Sequence, residues 1–398
     1  MRPALHPSKG ILVVSLLAAF AAGCATVQVT KPAKTDEAPV QAEARTAHWQ
    51  FDAGNRPEAD RDGYRPPVKL AVLLPLSGAL ATASAPVRDG LLAGYYGEQR
   101  RRPELQFYDT AGTAGGAIAA YQKAVADGAD QVVGPLGRDE VDAVFRDIKP
   151  GVPVLALNRG TLAPPANNAS YSLAPEDDGA SAANYLASRK ALRVLVLSSG
   201  DDYARRSVAT FGEEIKALGG SVVQTLAVVG EKPADMTSVL QAATQREGGV
   251  DAVFLALRGG QARAIAPQLA AAGLAAKPRV ATSQLLSGTG KAEDDRALDG
   301  IAFPTERWSM AQVRGLPPAA DTGSRLPTAR GGAAKLFAFG YDAWLLTAYL
   351  ERLATDADAS VDGATGGLRI GPTGNVLRTP AWSTFSGGYR VALTGGGG

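Results

Sequence analysis

Two hydrophobic periods take turns between residues 68 and 304. KLAVLL at 69–74 is almost unbroken in its apolar character, as a parallel strand covered on both faces reads. The following VRDGLLAGYYGEQ instead places Val87, Leu91 and Tyr95 at helical spacing, which predicts one apolar stripe. The same alternation predicts strands at 70–74, 105–109, 131–134 and 153–158, with helices at about 85–99, 114–127 and 138–148. YSLAPEDD (171–178) interrupts the rhythm and a second series begins. Its strands are predicted at 193–199, 221–228, 252–257 and 279–283, and its helices at about 176–188, 203–218, 235–246 and 261–272. Repeated βαβ units imply right-handed crossovers and parallel sheets. The predicted fold is therefore α/β, with two doubly wound parallel-sheet lobes joined by crossover strands.

Beyond residue 300 the pattern changes. GIAFPTERW (300–308) reads as a return segment between the lobes, and SMAQVRGLPPAADTGSRLPTARGG (309–332), rich in Pro and Gly, as a long surface loop. KLFAFGYDAWLLTAYLERL (335–353) is apolar on nearly every side but interrupted by Lys335, Asp342 and Glu351, so a buried helix is predicted rather than a membrane span. The tail from Ala364 to Gly388 reads as short strands around a Pro-Thr-Gly-Asn turn. These segments divide residues 68–390 into a first lobe of about 68–173 and 305–356 and a second of about 174–304 and 357–390, before a Gly-rich tail at 391–398.

The N-terminus follows neither period. Arg2 and Lys9 precede the apolar run ILVVSLLAAFAAG, and AAGC ends it at Cys24, the only cysteine of the chain. Residues 1–23 read as a signal peptide, and AAGC resembles a bacterial lipobox, which implies that Cys24 carries lipid. Ala25 follows where lipoproteins of the inner membrane carry Asp, which points to the outer membrane. Residues 24–67 hold few apolar side chains and many Pro and charged ones, so they are expected to form a disordered tether, with Trp49 and Phe51 as incidental aromatics.

Composition narrows the chemistry. Of 398 residues, 45% are apolar and 20% charged, as in an ordinary globular chain. Removing residues 1–23 takes two of the 41 basic residues and none of the 39 acidic ones. The balanced remainder argues against a nucleic-acid partner. Both histidines, His6 and His48, fall outside the predicted lobes. Without His or Cys, the lobes offer no Ser-His-Asp or Cys-His nucleophile and no conventional zinc site. Asp177 with Asp178, Asp201 with Asp202 and Asp294 with Asp295 are sequential pairs whose side chains point apart, and Asp177 and Asp178 suit a helix N-terminus. SGTGKAEDD (287–295) lacks the spacing of a phosphate loop. No catalysis, metal or cofactor is expected.

The order of segments resembles type I periplasmic binding proteins. It is more closely similar to the penicillin-binding-protein activator family of outer-membrane lipoproteins (LppC or LpoA-like). KLAVLLPLSG, RDGLLAGYY, AYQKAVADGADQVVGPL, PVLALN, YSLAPEDD, FLALRGGQAR, ATSQLLSG and GYDAWLL carry the resemblance, which covers almost all of residues 68–390. Family members carry a helical-repeat domain ahead of this one; residues 25–67 stand in its place, so that domain's functions are not implied. In amino-acid-binding relatives, hydroxyls and backbone N–H groups at strand-to-helix loops hold the ligand carboxylate. The corresponding candidates here are Ser77 and Gly78 in the first loop and Arg138 and Asp139 in the third. Asn158, Arg159 and Thr161 follow the fourth strand, and Asp202, Tyr203 and Gln284 come from the second lobe. They could bind a small ligand or close the cleft with an Arg-Asp pair; the second is preferred, with Arg138 and Asp139 filling the cleft. The resemblance implies a non-catalytic outer-membrane lipoprotein that activates a bifunctional peptidoglycan synthase, its penicillin-binding-protein partner. Because exposed loops on a rigid scaffold often carry recognition, loop 309–332 or the adjoining lobe surface is the expected contact. The alternative is a lipid-anchored binding protein of a Leu/Ile/Val-type importer.

Overall fold

The structure is a computed structural model that describes residues 39–51, 56–147 and 151–393. The expected signal peptide, Cys24 and the last residues of the Gly-rich tail lie outside that range. The first lobe holds β1 (Lys69–Leu74), α2 (Ala81–Gly97), β2 (Glu104–Asp109), α3 (Ala114–Ala126), β3 (Gln131–Val133), α4 (Arg138–Asp147), β4 (Val154–Ala156) and β5 (Ala169–Ser170), preceded by α1 (Pro39–His48). Its five strands are parallel in the order β2-β1-β3-β4-β5. The second lobe runs through α5 (Pro175–Ala187), β6 (Arg193–Ser198), α6 (Asp202–Ala217), β7 (Ser221–Ala227), α7 (Thr237–Thr244), β8 (Ala252–Ala256), α8 (Gly259–Ala271), β9 (Arg279–Ala281), α9 (Ala292–Asp295) and β10 (Ile301–Thr305). Then come α10 (Ala319–Arg325), α11 (Ala333–Thr355), β11 (Val361–Asp362), β12 (Gly366–Ile370), β13 (Val376–Ser386) and β14 (Tyr389–Ala392).

The strand period explains the layering. In β1, Leu70, Val72 and Leu74 enter one core while Ala71 and Leu73 enter another on the opposite face. In β6, Leu195 and Leu197 are separated in the same way from Val194 and Val196. A continuous apolar run is thus required because successive side chains serve two cores. Helix α11 lies against α2. Its Gly340 rests on the Val87 carbonyl and Gly90 of α2 on the Phe337 carbonyl, so a Cβ at either position would strike backbone. No helix among the described residues is long and apolar enough to cross a membrane.

Three expectations are corrected. The disordered tether expected at residues 24–67 is contradicted over the described residues 39–51 and 56–67. Trp49 and Tyr64 are buried in the first lobe's core. Arg45 donates from Nη1 to the Ala354 carbonyl at 3.0 Å and from Nη2 to the Ile370 carbonyl at 3.1 Å. Arg56 pairs with Asp130 at 2.6 Å and Arg65 with Glu351 at 2.7 Å. His48, expected outside the fold, shares a 2.8 Å hydrogen bond with the Asn168 carbonyl, and burial lowers its pKa against that bond. Few apolar residues suffice because the segment adds to an existing core instead of building one.

Loop 309–332 likewise has anchors. Val313, Leu316 and Ala329 join Trp308, Phe337 and Tyr341 in a small cluster of their own. The second lobe does not own everything after residue 357. Leu368, Ile370 and Val376 pack into the first lobe's core, whereas Trp382 and Phe385 pack into cores of the second. Strand β13 therefore crosses between lobes, pairing antiparallel with β12 through Val376–Pro380 and with β10 through Ala381–Ser383.

Candidate functional site

The cleft between the lobes is bordered by the C-terminal ends of both sheets, where open α/β proteins place their ligands. On the first lobe's rim, Ser77 and Gly78 are exposed. The Ser77 hydroxyl donates to Asp109 Oδ2 at 2.6 Å, and the N–H groups of Leu76 and Ala111 both donate to Asp109 Oδ1 at 2.8 Å. These donors, Ser77 first, hold the Asp109 carboxyl below its usual value. Asp109 thus occupies the donors that a ligand carboxylate would use, and its charge repels one. Gly78 has φ of +77°, and a Cβ there would meet the Ala111 carbonyl.

Asn158 and Thr161 in the neighbouring loops are likewise bonded within the protein, whereas the buried Nε of Arg159 has no partner among the described residues. Asn158 donates to the Leu136 carbonyl at 2.9 Å and accepts from the Arg159 N–H. Thr161 donates through its N–H and hydroxyl to Asp142 at 2.7 and 2.8 Å. Burial would raise Asp142, but bonds from Leu162 and Thr161 outweigh it and leave the carboxyl below its ordinary value.

Arg138 and Asp139 do not fill the cleft. They begin α4 and are exposed, with no ion pair between them. The closing pair is instead Arg159 with Asp177 at 2.9 Å, supported by Arg159 Nη2 donating to the Val376 carbonyl at 3.1 Å. Both the arginine and the carboxylate differ from the expected ones, because α4 turns its first residues outward while α5 brings Asp177 across from the second lobe. Burial raises the Asp177 carboxyl despite Arg159 and Arg378 beside it.

Asp178, next in sequence, is buried and organises the second lobe's wall. Its Oδ2 accepts from the Tyr203 hydroxyl and the Ser283 N–H, both at 2.7 Å, and Arg378 lies 3.8 Å from Oδ1. Burial and the Asp178 charge push the Tyr203 phenol well above its ordinary value. Asp202, by contrast, is exposed and pairs with Arg205 and Arg206 on its own helix. Gln284 and Tyr203 line a cavity of about 910 Å³ bounded by residues 283–295, loop 309–332 and the β13–β14 hairpin.

Sequence reasoning missed Lys335, Arg378 and Asp178 as cleft residues. Lys335 interrupts an apolar helix, a signal that a charge is needed there, but its surroundings come from distant segments. Among the described residues, no cluster of three or more His, Cys, Asp or Glu could hold a metal ion.

The model of the LppC putative lipoprotein family matches residues 64–388. The chain belongs to the LppC family. An LppC relative, the penicillin-binding protein activator LpoA of Mannheimia succiniciproducens, is 26% identical over 334 residues, covering 82% of this chain and 55% of that protein. The chain thus spans about half the length of the curated relatives it matches. The LpoA (YraM) C-domain from Haemophilus influenzae, described as a regulator of PBP1A, matches with a TM-score of 0.68 and 21% identity over 82% of this chain and 100% of that one. A putative branched-chain amino acid ABC transporter from Chromobacterium violaceum matches with a TM-score of 0.62 and 31% identity, covering 80% and 100%. The two-lobed architecture of the LppC chain is therefore that of the type I periplasmic binding proteins.

Proposed function

We propose that this chain is a non-catalytic, lipid-anchored outer-membrane protein that binds and activates a bifunctional peptidoglycan synthase. Membership of the LppC family supports it, as does the name penicillin-binding protein activator carried by relatives that align over four-fifths of the chain. The observation that carries the reading against a transport role is the first-lobe rim. Ser77 is bonded to Asp109, so the loop that would receive an amino-acid carboxylate already contains one.

Cys24 supplies the anchor in this reading, with Ala25 directing it to the outer membrane. Because the chain is packed on the lobe from residue 39 onward, apart from a short undescribed stretch, the link from Cys24 spans roughly 50 Å at full extension. The domain's own dimensions then contribute much of the reach, and binding must offset the entropy of stretching the link.

The test is glycan polymerisation by the purified synthase of the same organism, with and without the mature chain. An increase in rate is expected; a synthase that neither binds nor responds would defeat the proposal. Cys24→Ser is expected to abolish incorporation of labelled fatty acid, and equal labelling would defeat the anchoring.

The 31% identity to a putative branched-chain amino acid transporter favours a second reading, a binding protein for an importer. Calorimetric titration with leucine separates the two. Micromolar affinity supports the importer, and no binding tighter than millimolar supports the activator.

A further inference from the structure

The 910 Å³ cavity is unlike the Ser77 rim in its charge accounting. None of Ser77, Gly78, Arg138, Asn158, Arg159 or Thr161 lines it. Its own carboxylates are already matched. Asp295 pairs with Arg263 at 2.6 Å and also accepts from the Gly290 N–H, while Glu306 pairs with Arg390 at 3.5 Å. Its other cations are not. Lys335, at the start of α11, donates to the Ser283 hydroxyl at 2.9 Å, and no carboxylate among the described residues lies within 4 Å of its Nζ. Arg330, exposed on the neighbouring loop, has no side-chain partner among them, and neither does the Gln284 amide.

Two cations and an amide thus face a space walled on other sides by Leu286, Pro304, Ala319, Ala320 and Phe385. Burial lowers the Lys335 pKa; Asp178, Glu306 and Asp177 pull it back up from beyond ion-pair distance, and Arg378 opposes them. A cation kept partly out of water without an ion pair costs free energy that an incoming anion would recover. The space is at the upper end of the range for binding cavities, about 300–1,000 Å³. Its rim is open, with Arg330 and Tyr389 exposed to solvent. Surplus positive charge, apolar walls and an open rim suit a segment of a protein better than an enclosed small molecule.

We propose that this cavity receives an acidic segment of the protein partner, one carboxylate of which is bound by Lys335, Arg330 and Gln284. The inference deepens the activator reading and rests on it, with the synthase as the protein that supplies the segment. Lys335 and Arg330 give orientation and salt-sensitive attraction, and the walls take the flanking apolar side chains.

The experiment measures affinity of the full mature chain for its own organism's synthase at low and high salt. Lys335→Met combined with Arg330→Ala is expected to weaken binding at least tenfold and to flatten its salt dependence. Lys335→Arg should restore most of the affinity, and Lys216→Met, which removes a remote exposed lysine, should leave it unchanged. Thermal melting of each variant identifies any that fail to fold, and for those the single Arg330→Ala variant, on the exposed loop, provides the reading with an expected loss of at least threefold. Affinity within twofold of wild type in the folded double variant would overturn the proposal while leaving the activator reading intact. A wild type that binds no synthase would defeat that reading first and the proposal with it. Micromolar binding of free glutamate, lost in Lys335→Met, would assign the cavity to a small ligand and overturn the partner segment.

Discussion

The two sides of the cleft contain similar residue types and differ in what those residues have left to offer. Around Ser77, the hydroxyl, amides and carboxylates of the first lobe bond to one another, ending on Asp109 and Asp142. Around Lys335, the carboxylates lining the cavity pair with arginines, and Lys335, Arg330 and Gln284 have no ion pair among the described residues. A polar residue at a sheet edge is therefore a poor guide to binding until its hydrogen bonds are accounted for. The first side serves to shape loops, and the second retains capacity.

The largest test removes the group that shapes the second side. Asp178→Ala removes the carboxylate 3.8 Å from the buried Arg378 and the 2.7 Å acceptor of the Tyr203 hydroxyl, which then keeps only Ser283 Oγ at 3.3 Å. A loss of about 3–5 kcal/mol is expected from uncompensated burial, read by denaturant unfolding. A loss below ~1 kcal/mol would mean that the wall does not depend on Asp178.

A titration along α11 comes next. Asp342, buried seven residues beyond Lys335, accepts from the Tyr171 hydroxyl at 3.1 Å and the Thr365 N–H at 2.8 Å, and burial raises its pKa to about 6 against those bonds. Folding thus holds a proton that the unfolded chain releases. The resulting stabilisation is full below about pH 4 and is lost as pH rises through about 6, up to ~3 kcal/mol. Asp342→Asn should remove that slope from the melting temperature between pH 4 and 7, and an unchanged slope would contradict the assignment.

At the other end of the same helix, Arg45→Ala removes bonds to the Ala354 and Ile370 carbonyls and should cost about 1–3 kcal/mol. Synthase affinity should stay the same, because the cavity lies at the opposite end. Smallest is Ser77→Ala. Asp109 keeps its backbone donors, so at most ~1 kcal/mol is expected and stimulation of the synthase should be unaltered. A marked loss of stimulation would return function to the first side and break the contrast.

Much of this molecule follows from local pattern. Apolar runs such as KLAVLL and RVLVLS locate the strands because each must serve two cores, and the intervening helical stripes locate the crossovers, so lobes, order and family were legible. The absence of Cys after Cys24, and of His after His48, is also a property of the chain alone. What the local pattern could not supply is pairing between distant segments. The residues of the strand-to-helix loops led to the expectation of Arg138 and Asp139 filling the cleft, but Arg159 meets Asp177, because the choice depends on how α5 lies against the first lobe. Residues 39–51 and 56–67 look unable to fold because they have too few apolar side chains for a core of their own. They fold by lending Trp49, Tyr64 and Arg45 to a core and a helix end made elsewhere. A hydrogen bond or a buried ring takes its worth from a partner hundreds of positions away, and such proximity exists only once the chain has assembled.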